Sequence, residues 1–207
     1  MKISPKAVET YVGWAEEYYD PGLSYHNWAH AEEVMEEALD LLNSGGRWTR
    51  HVNRPLLQVA AAWHDAGFDH DERLAFESSE HYSAHLMRQR LKGELTARQL
   101  REVEETILAT RFGHARHTMA GIALHYGDVA NMASENFQHF YDHNIWLWKE
   151  SGYPEWQSWR ANTVRVMAAT AAEAVTELPL IGIRDGLYVS AIQQNMAAIS
   201  TEPEPCR

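Results

Sequence analysis

An all-α bundle of seven to nine helices is the fold this sequence predicts, and three observations predict it. Apolar residues recur at helical spacing through most of the chain, alternating β-type patterns are scarce, and capping residues with Pro or Gly punctuate the helical stretches. With 207 residues, 45% hydrophobic and 23% charged, the chain can bury one substantial core. It reads as one helical domain over residues 1–200 with a short tail over 201–207.

Ser4-Pro5 starts the first helix, a capping hydroxyl ahead of proline at the first helical position. That helix runs to about Tyr19 and ends at Asp20-Pro21-Gly22. The second runs from about Asn27 to Gly45-Gly46, with Val34, Ala38 and Leu41 or Leu42 as its apolar stripe. "RPLLQVAAAWHDAGF", from Arg54 to Phe68, is apolar on almost every side and marks a buried central helix. Two amphipathic helices follow, "ERLAFESSEHYSAHLMRQRL" and "TARQLREVEETILATR", the second capped by Thr96. From Phe112 to Gly127 the pattern is less regular. "NMASENFQHFYDHNIWLWKE" and "PEWQSWRANTVRVMAATAAEA" read as long helices, and Asp185 caps a last one through "GLYVSAIQQNMAAI". The eight tryptophans read as core and helix-packing residues. The aromatic face near "NIWLWKE" fits either core or the seam of a homodimer.

A formal charge of -11 argues against a nucleic-acid polymer as partner, because backbone binding needs a broad basic face. A small phosphorylated substrate stays compatible with that charge if a bound cation neutralises it locally. The single cysteine, Cys206, permits no intrachain disulfide and no cysteine metal site, which suits a reducing cytoplasm. The N-terminus lacks an uninterrupted apolar stretch of the signal-peptide kind, and no run approaches the ~18 apolar residues of a membrane span. A cytoplasmic protein is expected.

Chemistry concentrates in three places. In "SYHNWAHAEEV", His26 and His30 are four residues apart and are expected to share a helix face. The same spacing recurs at His81/His85 and His139/His143, so the pair alone singles nothing out. The buried helix ends in His64-Asp65, where an apolar interior would reject an imidazole and an unpaired carboxylate; a metal taking both as ligands relieves that cost, and a hydrogen-bonded pair at the helix end is the plain alternative. In "ALHYGDVANM", Asp128 follows Gly127 at the expected mouth of a long helix, where a helix cap is the plain alternative.

Taken in order, histidine, His-Asp and aspartate resemble the HD-domain superfamily of metal-dependent phosphohydrolases. "YHNWAHAEEV" is similar to the "YHNxxHAxDV" segment of the cyclic-nucleotide phosphodiesterases, and "GDVANM" to their "ADLSN" segment. The resemblance implies that His30, His64, Asp65 and Asp128 hold a divalent metal, that His26 donates the proton to the leaving group, and that Asp65 serves catalysis as well as metal binding. Asn27 and Trp28 would then support the ligands, although packing explains Trp28 equally well. One departure bears on a second metal: Phe68 stands where the phosphodiesterases carry a further histidine, with His70 two positions on. "FESSEHYSAHL" and "ILATRFGH" look like two segments of bacterial HD proteins, which would bring Glu77 and His114 to the site beside His70.

The reading that follows is a metal-dependent phosphohydrolase acting on a small phosphate ester, a nucleotide first. A bound cation lowers the pKa of its water from 15.7 toward about 7, and His26 as imidazolium protonates the departing oxygen. Mixed nitrogen and oxygen ligands suit Mn, Fe, Co, Ni, Zn or Mg, with Mn or Fe ranked first. Lys92, Arg111 and Arg116 are candidate phosphate contacts. Two alternatives stand beside it: an HD-type di-iron oxygenase, which would need His70 and His114 as ligands, and a non-catalytic helical module that keeps a metal or nucleotide.

Overall fold

Short polar side chains set where the helices begin, and the computed structural model, which describes residues 3–205, shows each doing so. Ser4 caps α1 (Pro5–Glu16) by accepting from the Ala7 amide, and Asn27 caps α2 (Trp28–Ser44) by accepting from the His30 amide. Proline in the first turn starts α3 (Arg54–Trp63). Ser78 caps α4 (Ser79–Arg90), Thr96 and Gln99 form a capping box on α5 (Ala97–Leu108), and Thr118 caps α6 (Met119–Asp128). Three further helices follow: α7 (Phe137–Ser151), α8 (Trp156–Glu177) and α9 (Asp185–Ile199). Four 3-10 turns link them, and the described residues contain no strand.

Burial explains the order of packing. In α3 every residue from Leu56 to Trp63 except Gln58 is buried, so neighbours must cover it on all sides. Helices α1, α2 and α5 pack on it, and α2 packs in turn along α6. This first apolar cluster includes Tyr11, Val34, Leu42, Leu57, Trp63, Met87, Val103 and Leu124. A second is built by α7, α8 and α9 around Phe140, Trp156, Met167 and Ile192. Ile122, Tyr126 and Val129 meet Ala174, Leu178 and Ile181 in a third, which joins the two.

The all-α expectation holds, with differences of detail. The first helix ends at Glu16 rather than near Tyr19. The stretch "ERLAFESSE" forms a 3-10 turn over Asp71–Ala75, because the Ser78 cap delays the helix. The single long helix expected from Asn131 breaks at Ser134 to Asn136, where Asn136 caps α7 through the Gln138 amide. Asp185 is the first residue of α9 rather than its cap. The irregular span contains α6, whose glycines lower its helical signal but permit close packing. Four tryptophans, Trp63, Trp148, Trp156 and Trp159, are buried, whereas Trp48 and Trp146 are exposed. Cys206 lies outside the described residues.

Gly127 is where α6 touches α2 most tightly. A Cβ there would stand 2.9 Å from the Ala38 nitrogen and 3.0 Å from the Val34 oxygen, both backbone atoms that cannot rotate away. Gly127→Ala is therefore expected to destabilise the fold by about 1–3 kcal/mol and to displace its neighbour Asp128. Thermal unfolding together with metal affinity checks both effects.

A second expectation concerns His125, fully buried on α6. Arg116 donates to its Nε2 at 2.9 Å, so the ring is neutral with its proton on Nδ1. Burial and the guanidinium push its pKa down to about 3 from an ordinary 6.5. Between those values the unfolded chain binds a proton that the folded chain does not. Stability is thus complete above about pH 6.5 and falls as pH drops toward 3, by up to about 5 kcal/mol. The denaturation midpoint of His125→Asn should fall less steeply over that window than that of wild type.

Candidate metal centre

Two helix ends converge on the site. His64 follows the last residue of α3 as its C-cap, with Asp65 next, and Asp128 is the last residue of α6. A helix C-terminus carries partial negative charge, so two carboxylates there are unfavourable unless a cation joins them. His30 reaches the same point from the first turn of α2, which the Asn27 cap holds in place at 3.2 Å.

These four side chains come together. His30 Nε2 lies 3.3 Å from Asp128 Oδ1 and 3.6 Å from Asp65 Oδ2, while His64 Nε2 lies 3.0 Å from Asp65 Oδ2 and 3.5 Å from Asp128 Oδ1. One ligand atom from each lies within 4.8 Å of every other, so the cluster can hold a metal ion.

The state of His64 tests the fit. Its Nδ1–H donates to the Ala61 carbonyl at 2.7 Å, which fixes the tautomer and leaves the Nε2 lone pair facing two carboxylates. Nε2 is fully buried and has no well-directed hydrogen bond, although Asp65 is near, because the approach is poorly aligned. Burial alone would push the pKa of His64 down, yet Asp65 and Asp128 outweigh it and hold it well above the ordinary value. Burial would likewise raise both aspartates, and the facing imidazoles outweigh it, keeping each below its usual range. The site therefore draws positive charge to one point, which a divalent ion supplies without a proton.

His26 is close, but not by the expected route. It precedes the Asn27 cap and so lies outside α2; a bend carries it toward His30, with ring centroids 6.2 Å apart. Its Nδ1 lies 2.7 Å from Glu150 Oε2 at the end of α7. Glu150 also accepts from the backbone amides of Tyr25 and His26. Burial would raise the pKa of Glu150, and these contacts outweigh it and lower it. Phe68 stacks on the His26 ring at 3.6 Å and 12°, and Arg73 lies over Phe68 at 4.7 Å. An apolar ring thus packs on His26 from the position where a further histidine was compared. Asn27 is the helix cap, and Trp28 packs on Tyr19.

The outer candidates do not join the cluster. His70 Nδ1 is paired with the Tyr82 hydroxyl at 3.0 Å, and His114 is exposed. Glu77, 66% exposed, pairs with Arg111 at 2.7 Å. Arg116 is buried between Glu173, Glu177 and His125, and Lys92 is exposed in the turn between α4 and α5. The histidines required by a di-iron oxygenase are thus outside the four-residue set.

Glu150 was not legible in the sequence. It stands 124 positions from His26, at the end of an aromatic helix, with no local spacing to mark it. Glu150→Gln keeps the shape and loses the charge. We expect it to weaken the hold on the His26 ring while His30, His64, Asp65 and Asp128 stay in place, which the His26 ring signals in NMR check.

No protein-family model matches the sequence, and no curated protein matches it. Among solved structures, the chain is similar to the phosphodiesterase domain of the Salpingoeca rosetta rhodopsin phosphodiesterase. The TM-score is 0.70 at 16% identity, over 95% of this chain and 80% of that one. The fold is that of a helical phosphodiesterase domain. At this identity the likeness is one of fold, and the chemistry rests on the residues. No helix among the described residues is long and apolar enough to cross a membrane.

Proposed function

We propose that this protein is a metal-dependent phosphohydrolase of the HD type, acting on a small phosphate ester, a nucleotide first. The observation that carries the reading is the buried His64 Nε2 lone pair facing Asp65 and Asp128, beside a histidine already paired with a carboxylate. His30, His64, Asp65 and Asp128 would hold the ion, Mn or Fe first on the mixed donor set. Bound there, a divalent cation supplies Lewis acidity toward a phosphoryl oxygen and a water of lowered pKa.

The protein's own groups do the rest. Asp65 and Asp128 would hold the ion, and a free Asp65 carboxylate oxygen could accept a hydrogen bond from the water it activates. His26, oriented through Nδ1 by Glu150, presents Nε2 to the leaving oxygen and gives up its proton as the ester bond breaks. Phe68 stacked on the ring limits its rotation, and the Arg73 guanidinium lies over Phe68. The exposed base or sugar of a nucleotide needs no basic groove, in keeping with the chain's net charge of -11.

The test is a panel of nucleotide monoesters, cyclic diesters and pyrophosphates with Mn-loaded protein, followed by phosphorus NMR. Cleavage of at least one, abolished in Asp65→Ala, supports the proposal. Oxygen uptake without ester cleavage would replace it with the oxygenase.

A further inference from the structure

A second cluster of metal-ligating side chains stands outside that centre. Glu33, on α2, faces His139 and His143 on α7. Glu33 Oε1 lies 3.4 Å from His139 Nε2, and Oε2 lies 3.3 Å from His143 Nε2. The two imidazoles, four residues apart, share a helix face with ring centroids 4.2 Å apart.

The hydrogen bond made by His143 Nδ1 orients the ring so that a metal could take the place of a proton opposite Glu33. The Nδ1–H donates to the His139 carbonyl at 2.8 Å, which leaves Nε2 as a lone pair aimed at a carboxylate oxygen that cannot donate. Two lone pairs at that distance require a proton or a metal between them.

We propose that Glu33, His139 and His143 form a second binding site, for a divalent transition-metal ion of the zinc class. Two imidazole nitrogens and one carboxylate oxygen are a three-ligand set that zinc accepts with water in the fourth position. Magnesium and calcium, which favour oxygen donors, are disfavoured there. Exposure fits the open fourth position: the His143 side chain is 9% exposed, and those of Glu33 and His139 are 40%.

The site would tie α2, which carries His30, to α7, which carries Glu150 two turns beyond His143. The Tyr25 ring contacts both His30, at 4.3 Å between centroids, and His143, at 5.8 Å, so it adjoins both clusters. The inference is independent of the phosphohydrolase reading, because it uses none of its four ligands.

The experiment is zinc content per chain by elemental analysis after equilibrium dialysis, on wild type, Asp65→Ala, Glu33→Gln and the double variant His139→Ala/His143→Ala. Circular dichroism verifies that each is folded. If the site exists, wild type holds one zinc more than the folded double variant, and Glu33→Gln binds that ion at least roughly tenfold more weakly. Should the double variant not fold, the isosteric Glu33→Gln decides alone. Equal zinc in wild type, the double variant and Glu33→Gln would overturn the proposal. Loss of an ion in the double variant but none in Asp65→Ala would uphold this site and count against metal at the four-residue centre.

Discussion

Asp65→Ala is expected to lose the metal of the four-residue centre and to reduce turnover by at least about 10³-fold, equivalent to about 4 kcal/mol of transition-state stabilisation. Asp65 Oδ2 faces both imidazoles, at 3.0 Å from His64 and 3.6 Å from His30, and is the carboxylate atom nearest to His64. Without it the remaining donors are two neutral nitrogens and one carboxylate, and the charge that offsets the burial of a divalent ion is halved. The chain is expected to stay folded, because Asp128 still faces both histidines. Asp65→Asn, which keeps the volume, separates loss of charge from loss of packing. Metal content, circular dichroism and ester cleavage measured on the same samples check the expectation.

His26→Ala is expected to do something different: retain the metal and lose about 10²–10⁴-fold in kcat. His26 is not one of the four clustered ligands, and its Nδ1 is engaged by Glu150 at 2.7 Å. On the proposed mechanism its removal would take away the proton donor and leave the proposed ligand set intact. The defect should be smallest for esters whose leaving group is already acidic, since such an oxygen departs without protonation. A nitrophenyl ester compared with a nucleotide checks this. Loss of metal along with activity would instead place His26 among the ligands.

These two variants bear on residues that the sequence made visible, and the reason is physical. His64-Asp65 ends a helix so apolar that a charged pair there demands a partner, and "YHNWAH" carries both the cap and the first-turn histidine within six residues. Helix starts were readable for the same reason: Ser4, Asn27 and Thr96 each cap through an amide three residues away. Where the outcome depended on distant parts of the chain, the reading went astray. Asp128 ends a helix rather than opening one, because α6 is held by packing against α2 through Gly127 and not by its own propensity. His26 is the exception: it sits before the cap because of its neighbour Asn27, a local cause already readable in a helix starting at about Asn27. Glu150 reaches His26 only through the tertiary placement of α7. The spacing of His139 and His143 was plain, but nothing local distinguished it from His81 and His85 until Glu33 was brought opposite.

The central claim is that this scaffold cleaves phosphate esters with a metal held by His30, His64, Asp65 and Asp128. The most direct measurement is ester cleavage by the Mn-loaded protein across the nucleotide panel, run in water enriched in oxygen-18. The account expects a product phosphate carrying one solvent oxygen in wild type, and none formed by Asp65→Ala. Cleavage that persists unchanged in Asp65→Ala, or a panel left intact by metal-loaded wild type, would contradict it.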